Sequence, residues 1–242
     1  MRSISKWLRE RPRLHGKLSS IKRRSFARLR RLRLGPREEA FATIYRDRQW
    51  GRHTADHDFF SGPGSLPENF GPYVQLVNDY IARHPISRVL DLGCGDYRVS
   101  HALELRGAQY LGVDIVSSLI AHNTRHFGSQ QVRFARLDIV VDPLPPADLC
   151  LVRQVLQHLS NADIQALLLR LDAYEHVLVL DGSITKEATP GENVDVPTGG
   201  FRRGGLYLEA APLHANIEVL LTYDSAEGSE RFRLVRLSRA AR

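Results

Sequence analysis

The chain has 242 residues, of which 43% are hydrophobic and 25% are charged. These values are ordinary for a soluble globular protein, and they predict one α/β domain with additional terminal segments. Its two cysteines indicate a reducing compartment rather than a disulfide framework and show no metal-ligand spacing, so we expect a cytoplasmic protein without a metal site. The sequence shows neither an apolar run long enough to span a membrane nor the apolar core of a secretory signal.

The formal net charge of +7 is unevenly distributed along the chain. Residues 1–37 hold 14 Lys and Arg and a single acid, Glu10, whereas the other 205 residues hold 20 basic and 26 acidic residues. The body of the protein is therefore mildly acidic, which argues against a basic nucleic-acid groove through the domain.

Apolar residues between Ile4 and Leu32 fall close to one face of a helix, with Arg and Lys over most of the rest, although Pro12 and Gly16 interrupt the pattern. Three interpretations of this tail remain open. Residues 1–33 lie on an anionic membrane surface, which would place the protein at the inner membrane face; or they form a basic arm for nucleic acid; or they are a partly disordered tail or a helix packed on a partner.

Further along the chain, the pattern predicts a helix over residues 38–47, an irregular loop over 59–72 and a helix over 73–83. Strands and helices then alternate. We predict strands over 88–92, 109–113, 132–137, 147–152 and 176–181, and helices over 97–106, 116–126 and 163–173.

Two β-rich runs, 217–223 and 231–237, end the pattern as an antiparallel hairpin. We therefore predict an α/β fold: a Rossmann-like, seven-stranded, mostly parallel sheet with a C-terminal antiparallel β-hairpin, plus an N-terminal helical extension. The predicted divisions are a basic amphipathic tail (1–37), a cap or lid segment (38–85) and the core (86–242).

The segment Asp91-Leu92-Gly93-Cys94-Gly95 follows a buried strand at a predicted strand-to-helix junction. Gly93 and Gly95 permit a tight turn and let a ligand approach the backbone, at the sheet edge where open α/β sheets bind ligands. NAD would favour a third glycine, which is missing, and its pyrophosphate would be repelled by Asp91 and Asp96. The two acids instead suit a ligand with an ammonium and a sulfonium, and so predict S-adenosylmethionine.

Two further acids follow predicted strands. Asp114, with Ile115 after it, ends the second strand 23 residues after Asp91, where a carboxylate can accept from both ribose hydroxyls. A cap of the following helix is the alternative role for Asp114. Asp138 follows the third strand, where it could accept from the adenine amino group while Ile139 packs on the ring.

His158 lies in the segment after the fourth strand, four residues after Gln154, and is our candidate catalytic base for an acceptor hydroxyl. A structural histidine bonded to a loop carbonyl is the other interpretation, and for this position it is the more frequent one.

These motifs, together with Gly112-Val113-Asp114 and Val155-Leu156-Gln157-His158-Leu159, resemble the class I S-adenosylmethionine-dependent methyltransferase superfamily. More specifically, Trp50-Gly51 and Ser61-Gly62-Pro63-Gly64-Ser65 resemble a bacterial group with this N-terminal segment. The resemblance implies that the N-terminal loop folds over the cofactor, with Ser61 and Gly64 at its methionine end and Arg153 also on the cofactor side.

The sequence departs from that group at Gln154, where the group has aspartate, at Arg98-Val99, where it has Asn-Trp, and at Phe201, where tryptophan is usual. These departures concern the acceptor pocket rather than the fold or the cofactor. Arg202 and Arg203, in a glycine-rich stretch, are candidate contacts for an anionic substrate, and a solvated loop is the alternative.

Three functions remain open. We expect an S-adenosylmethionine-dependent methyltransferase that O-methylates a small-molecule or glycan acceptor. A nucleic-acid methyltransferase that uses the basic tail is disfavoured by the acidic core and by the lack of an Asn/Asp-Pro-Pro-Tyr/Phe-type motif after the fourth strand. A non-catalytic cofactor-binding protein is disfavoured by the intact set Asp91, Gly93, Gly95 and Asp114.

Overall fold

The computed structural model describes residues 35–51, 59–183, 193–202 and 204–238. Residues 1–33 lie outside this part of the chain, so membrane or nucleic-acid contact by the basic tail stays a prediction. Among the described residues, no helix has both the length and the apolar composition needed to cross a membrane.

One seven-stranded sheet organises the chain. Its strands are β1 (Arg88–Leu92), β2 (Gln109–Asp114), β3 (Val132–Arg136), β4 (Leu149–Arg153), β5 (His176–Ser183), β6 (Ile217–Asp224) and β7 (Arg231–Leu237). Their order across the sheet is β3-β2-β1-β4-β5-β7-β6. The first five strands are parallel, whereas β7 pairs antiparallel with both β5 and β6. The predicted fold class is confirmed, and each predicted strand end lies within two residues of the observed one.

Four α-helices accompany the sheet in the described residues: α1 (Pro36–Arg46), α2 (Pro67–Arg83), α3 (Ser117–Phe127) and α4 (Asn161–Leu171). Helix α2 begins six residues before the predicted start, inside the segment predicted to be irregular, and it contains Pro72. Pro67 stands at the first helical position, where its missing N–H would have no partner in the helix. Pro72 is the sixth helical residue, so it removes the backbone hydrogen bond to the carbonyl of Glu68.

The predicted helix over residues 97–106 is wrong. This crossover contains only a short 3-10 turn, Ser100–Ala102. Tyr97 and Arg106 have φ angles of 63° and 48°, which a right-handed helix cannot contain. The apolar residues that suggested a helix, Tyr97, Val99 and Leu103, are nevertheless buried, so the pattern correctly indicated burial.

The sheet separates two hydrophobic layers. On one face, Ile164, Leu167 and Leu171 of α4 pack on side chains of β1, β4 and β5. On the other face, residues of α2, including Tyr73 and Val77, pack on the same strands. Because both faces of the parallel strands are covered, polar side chains gather at the carboxyl ends of the strands. From β1 the chain proceeds to β2 and β3 on one side of the sheet, and it then returns to β4 and β5 on the other side of β1. Open α/β sheets bind ligands at this point, between β1 and β4, where the strand order reverses.

Candidate cofactor and acceptor site

A cavity of about 820 Å³ opens at the carboxyl ends of β1, β2 and β4. Small-molecule sites span roughly 300–1,000 Å³, so this cavity is near the upper end of that range. Helix α1 and the loop before α2 line one side of it, and the segment after β4 and residues 199–201 line the other. Every predicted cofactor residue lines this cavity: Ser61, Gly64, Asp91, Gly93, Gly95, Asp114, Ile115, Asp138, Ile139 and Arg153.

The turn after β1 requires both of its glycines. Gly93 and Gly95 have φ angles of 76° and 55°, in the left-handed region that side chains disfavour. A Cβ on Gly93 would lie 2.4 Å from Cγ2 of Val155, and a Cβ on Gly95 would lie 2.5 Å from Oγ of Ser61. The turn is fixed to β2, because the backbone N–H groups of Gly93 and Cys94 both donate to the carbonyl of Val113.

The loop before α2 is bound reciprocally to this turn. The backbone N–H of Ser61 donates to Oδ2 of Asp96 at 3.1 Å, and the backbone N–H of Asp96 donates to Oγ of Ser61 at 2.9 Å. The Ser61 hydroxyl also shares a 2.9 Å hydrogen bond with the hydroxyl of Tyr45 on α1. Helix α1, the loop and the glycine turn are thus joined at one point. Loop closure over the cavity, which the resemblance implied, is compatible with this arrangement.

Asp91 lies beneath the glycine turn and is 3% exposed. Oδ2 accepts hydrogen bonds from the hydroxyls of Ser100 and Tyr110, both at 2.6 Å. Burial raises the pKa of Asp91 above its usual value, and these two donors oppose the rise because they stabilise the ionised form. A carboxylate held here presents negative charge to the part of the cavity beside Gly93.

Asp114 is both a backbone cap and a cavity residue. Oδ1 accepts from the backbone N–H of Val116 at 3.0 Å, and Oδ2 accepts from that of Gly95 at 3.3 Å. Burial raises the pKa of Asp114 to about 6, and these N–H donors oppose the rise. The capping role and the predicted ribose role of Asp114 are therefore compatible, because a carboxylate has about four acceptor positions and the capping bonds use only part of them.

Asp138 has a partner that the sequence does not indicate. Nε of Arg37, on the first turn of α1, donates to its two carboxylate oxygens at 2.9 and 3.2 Å. Oδ1 also accepts from the backbone N–H of Val140 at 3.1 Å. Ile139 and Ile115 supply apolar surface to the same end of the cavity. An acid beside apolar side chains suits a flat heterocycle with an amino group.

Arg153 ends β4 and lies half-buried against the loop before α2. Its guanidinium donates to the carbonyl of Gly64 and lies 5.6 Å from the ring centroid of Tyr73. Nε is buried and has no hydrogen-bond partner within the described residues. A buried donor without a partner is costly, so this nitrogen is suited to a carboxylate ligand in the cavity.

Neighbouring Gln154 takes a φ of 52°, and its side chain lies close to Gly64: a Cβ on Gly64 would lie 2.1 Å from Oε1 of Gln154.

His158 also lines the cavity, and its tautomer follows from one contact. Its Nδ1 lies 2.8 Å from the carbonyl oxygen of Gly200, so Nδ1 must carry the proton, and Nε2 holds the electron pair, which faces the side-chain amide nitrogen of Gln157 at 3.4 Å. Burial lowers the pKa of His158, so the ring is neutral at neutral pH. Trp50 and Phe201 lie beside it, with ring centroids 5.2 and 5.6 Å away. The contact with Gly200 is that of a structural histidine, and it leaves Nε2 as the unprotonated ring nitrogen, which can act as a base once an acceptor hydroxyl takes the place of the long Gln157 contact.

Arg202 does not line the cavity. Its guanidinium donates to the carbonyls of Val194 and Leu159, and the residue is 4% exposed. These contacts hold loop 193–202 against the segment after β4, so the predicted contact between Arg202 and an anionic substrate has no support from this placement. Arg203 lies outside the described residues.

Several cavity residues were not predicted as site residues from the sequence: Arg37, Tyr45, Gln157 and Glu230, with Asp96 considered only for its charge. The sequence indicates Asp96 only through its charge beside the turn, and its contact with Ser61 spans 35 residues of sequence. Glu230 comes from the hairpin between β6 and β7. No local pattern marks these positions, since each depends on an approach between distant segments.

Known proteins share this domain and its fold. A family profile described as a methyltransferase domain matches residues 90–175, which extend from within β1 to the residue before β5. No curated protein matches the sequence at a significant level. Many solved structures share the fold.

Human N-acetylserotonin methyltransferase in complex with S-adenosylmethionine aligns with a TM-score of 0.54 at 19% identity, over 83% of this chain and 59% of that protein. This chain thus spans about three fifths of that enzyme. The N-methyltransferase NodS from Bradyrhizobium japonicum, with S-adenosylhomocysteine, aligns with a TM-score of 0.57 at 14% identity, over 82% of this chain and 100% of that one. The [4+2]-cyclase SpnF aligns with a TM-score of 0.51 at 12% identity, over 82% and 94%.

The family profile identifies a methyltransferase domain over residues 90–175, and the solved structures share the predicted Rossmann-like fold, so both agree with the predicted enzyme class and cofactor. They support the class I superfamily, whereas the bacterial group with the N-terminal Trp-Gly and Ser-Gly-Pro-Gly-Ser segments finds no support in these comparisons. These three structures are all below 25% identity, so they establish the fold alone, and the [4+2]-cyclase shows that this fold also serves other chemistry.

Proposed function

We propose that this chain transfers the methyl group of S-adenosylmethionine to a hydroxyl of a small-molecule or glycan acceptor. The observation that carries the proposal is the continuous cavity in which the glycine turn, Asp114, Asp138 and His158 all take part. The methionine end would lie at Gly93 and Arg153, the ribose at Asp114, and the adenine between Asp138 and Ile139.

The residues of the cavity fit such a cofactor. Gly93 and Gly95 leave space beside the turn after β1, which a Cβ at either position would fill. The Nε of Arg153, which has no partner among the described residues, suits the carboxylate of the cofactor. The described lining includes five acids, Asp91, Asp96, Asp114, Asp138 and Glu230, and two arginines, Arg37 and Arg153. A net negative lining attracts a ligand with an ammonium and a sulfonium.

The same charge balance bears on the acceptor. Arg37 already contacts carboxylates, and Arg153 is assigned to the carboxylate of the cofactor. With Arg202 turned away, no free cation among the described lining residues would meet a phosphate. This favours an uncharged small molecule over nucleic acid or a sugar phosphate. Human N-acetylserotonin methyltransferase, by its name, acts on a small molecule, which agrees with this choice.

When bound, the cofactor supplies a methyl group on sulfur that is already activated for displacement. The protein has to align the acceptor oxygen with that methyl group and exclude water. Tyr45, Ser61 and the loop around Gly64 cover the cavity and so keep water away from the methyl group. Nε2 of His158 takes the hydroxyl proton as the new oxygen–carbon bond forms and the carbon–sulfur bond breaks.

The proposal is tested by incubating the full-length protein with S-adenosylmethionine labelled in the methyl group and separate pools of phenols, glycosides, amines and nucleic acids. We expect label in a hydroxyl-bearing small molecule or glycan, with His158→Gln slowing transfer at least a hundredfold because the base is lost. Transfer to nucleic acid alone would favour the alternative function. Cofactor binding without transfer to any pool would favour the non-catalytic alternative, for which the cyclase of the same fold is a precedent.

A further inference from the structure

Helix α1 contributes one charged side chain that joins two distant parts of the cavity wall. Arg37 donates through Nε to Asp138 at 2.9 Å and through Nη1 to Oδ1 of Asp163 at 3.3 Å. The side chains of the three residues are 24%, 12% and 18% exposed. Ion pairs that are largely shielded from water are weakly screened by salt and hold their geometry well.

The two acids belong to different regions. Asp138 follows β3 at the proposed adenine end of the cavity, whereas Asp163 lies in the first turn of α4. Oδ2 of Asp163 accepts a 2.5 Å hydrogen bond from the hydroxyl of Thr198. Thr198 directly precedes Gly199 and Gly200, which line the other end of the cavity.

Loop 193–202 is also the loop that sets the tautomer of His158. The carbonyl of Gly200 accepts from Nδ1 of His158, and the backbone N–H of Gly199 donates to the carbonyl of His158. Contacts thus run without a gap from Asp138 through Arg37, Asp163 and Thr198 to the loop that holds the candidate base.

We propose that Arg37 is a positioning residue that couples occupation of the adenine end to the acceptor loop. The inference rests on the proposed function, because it requires a cofactor at Asp138. Asp138 has acceptor positions beyond those used by Arg37 and Val140, so an adenine amino group can bind while the ion pair stays formed. A bound adenine then fixes the carboxylate, the carboxylate fixes Arg37, and Arg37 holds both α1 and Asp163.

The test uses the full-length protein and S-adenosylhomocysteine, so it needs no knowledge of the acceptor. Calorimetric titration compares wild type with Arg37→Ala and Arg37→Lys. Arg46→Ala is the matched control, because it removes the same charge from the other end of α1, where the side chain contacts Glu39, Thr43 and Asp47 among the residues that the structure describes. We expect Arg37→Ala to weaken binding about tenfold, Arg37→Lys to restore part of it and Arg46→Ala to change it less than twofold.

Hydrogen exchange with and without S-adenosylhomocysteine separates positioning from general destabilisation. In wild type we expect the ligand to slow exchange at residues 93–96, at α1 and at residues 193–202. In Arg37→Ala the slowing at 193–202 should be lost while that at 93–96 remains. Wild-type affinity and an unchanged exchange pattern in Arg37→Ala would overturn the positioning role alone. No binding to wild type would overturn the proposed function itself and this inference with it.

Discussion

Ser61 and Asp96 exchange two hydrogen bonds across 35 residues of sequence: each backbone N–H donates to the side-chain oxygen of the other. The pair joins the loop before α2 to the glycine turn after β1. Because Oγ of Ser61 also contacts the hydroxyl of Tyr45, the contact extends to helix α1. Helix α1 and the loop before α2, which cover the cavity, are thereby fixed to the glycine turn after β1.

Removing the Ser61 hydroxyl should loosen that cover. Ser61→Ala deletes the acceptor for the Asp96 N–H and the partner of Tyr45, and we expect S-adenosylhomocysteine affinity to fall about tenfold and unfolding free energy to fall by about 1–2 kcal/mol. Calorimetry and urea unfolding measure the two effects. Ser118→Ala, at an exposed position on α3, is the control and should change neither. An unaltered affinity in Ser61→Ala would show that the reciprocal pair has no role in binding.

Adding a methyl group to the turn should block it. Gly95→Ala places a Cβ at a φ of 55° and 2.5 Å from Oγ of Ser61, so we expect a loss of about 1–3 kcal/mol in stability and at least tenfold weaker cofactor binding. Gly71→Ala is the matched control, since nothing lies within 4 Å of its added Cβ. It lies in α2, where alanine should stabilise by about 0.5–1 kcal/mol. Equal stability of the two variants would contradict the close approach of Ser61 to the glycine turn.

The pH dependence of methyl transfer should report a neutral histidine. Burial lowers the pKa of His158 below the usual 6.5, so the ring stays neutral down to a lower pH than a free histidine does. The rate for a hydroxyl acceptor should therefore fall toward acid pH as the ring gains a proton, and reach half its neutral-pH value only below pH 6.5. His158→Gln should lower the rate throughout and remove that fall. A rate that halves near pH 6.5 or above would exclude His158 as the base.

A buried carboxyl should make stability decline toward alkaline pH. Burial raises the pKa of Asp181 from 3.8 to about 8, so the folded protein holds a proton there that the unfolded chain releases above pH 3.8. Since the folded state binds more protons in this interval, its stability decreases as pH rises from about 4 to about 8. Oδ2 has no partner within the described residues.

Asp181→Asn removes this ionisation at nearly constant shape. In urea unfolding at several pH values, the variant should resemble wild type near pH 4 and become the more stable protein as pH rises. A stability difference between the two proteins that does not change with pH would contradict a proton on Asp181. The comparison cancels the contributions of Asp91 and Asp114, which both proteins retain.

Local sequence information predicted the parts of the site that lie on single segments. A buried strand followed by Asp91-Leu92-Gly93-Cys94-Gly95 specifies its own turn, because the glycines are needed for the backbone itself. Residues 97–106 show the limit of such reasoning. Their apolar spacing is compatible with a helix, but the contact between Ser100 and Asp91 and the left-handed Tyr97 arise from tertiary structure.

Contacts between distant segments account for the remainder. Arg37 meets Asp138 over 101 residues of sequence, and nothing near either residue indicates the other. Arg202 lies in a stretch that resembles an exposed glycine-rich loop, yet two backbone carbonyls bind its guanidinium inside the protein. A charge in such a stretch does not reveal whether it contacts solvent, substrate or the protein's own backbone.

Calorimetric titration of S-adenosylmethionine into full-length wild type and Asp114→Asn tests the central claim most directly. The amide oxygen keeps the 3.0 Å bond from the Val116 N–H and only the longer contact from the Gly95 N–H is lost, so the fold should persist while the paired ribose contacts are weakened. We predict one S-adenosylmethionine bound per wild-type chain, no binding of NAD, and at least tenfold weaker S-adenosylmethionine binding to the variant. Folded wild type that fails to bind S-adenosylmethionine, or equal affinity in the two proteins, would contradict the assignment of this cavity to the cofactor.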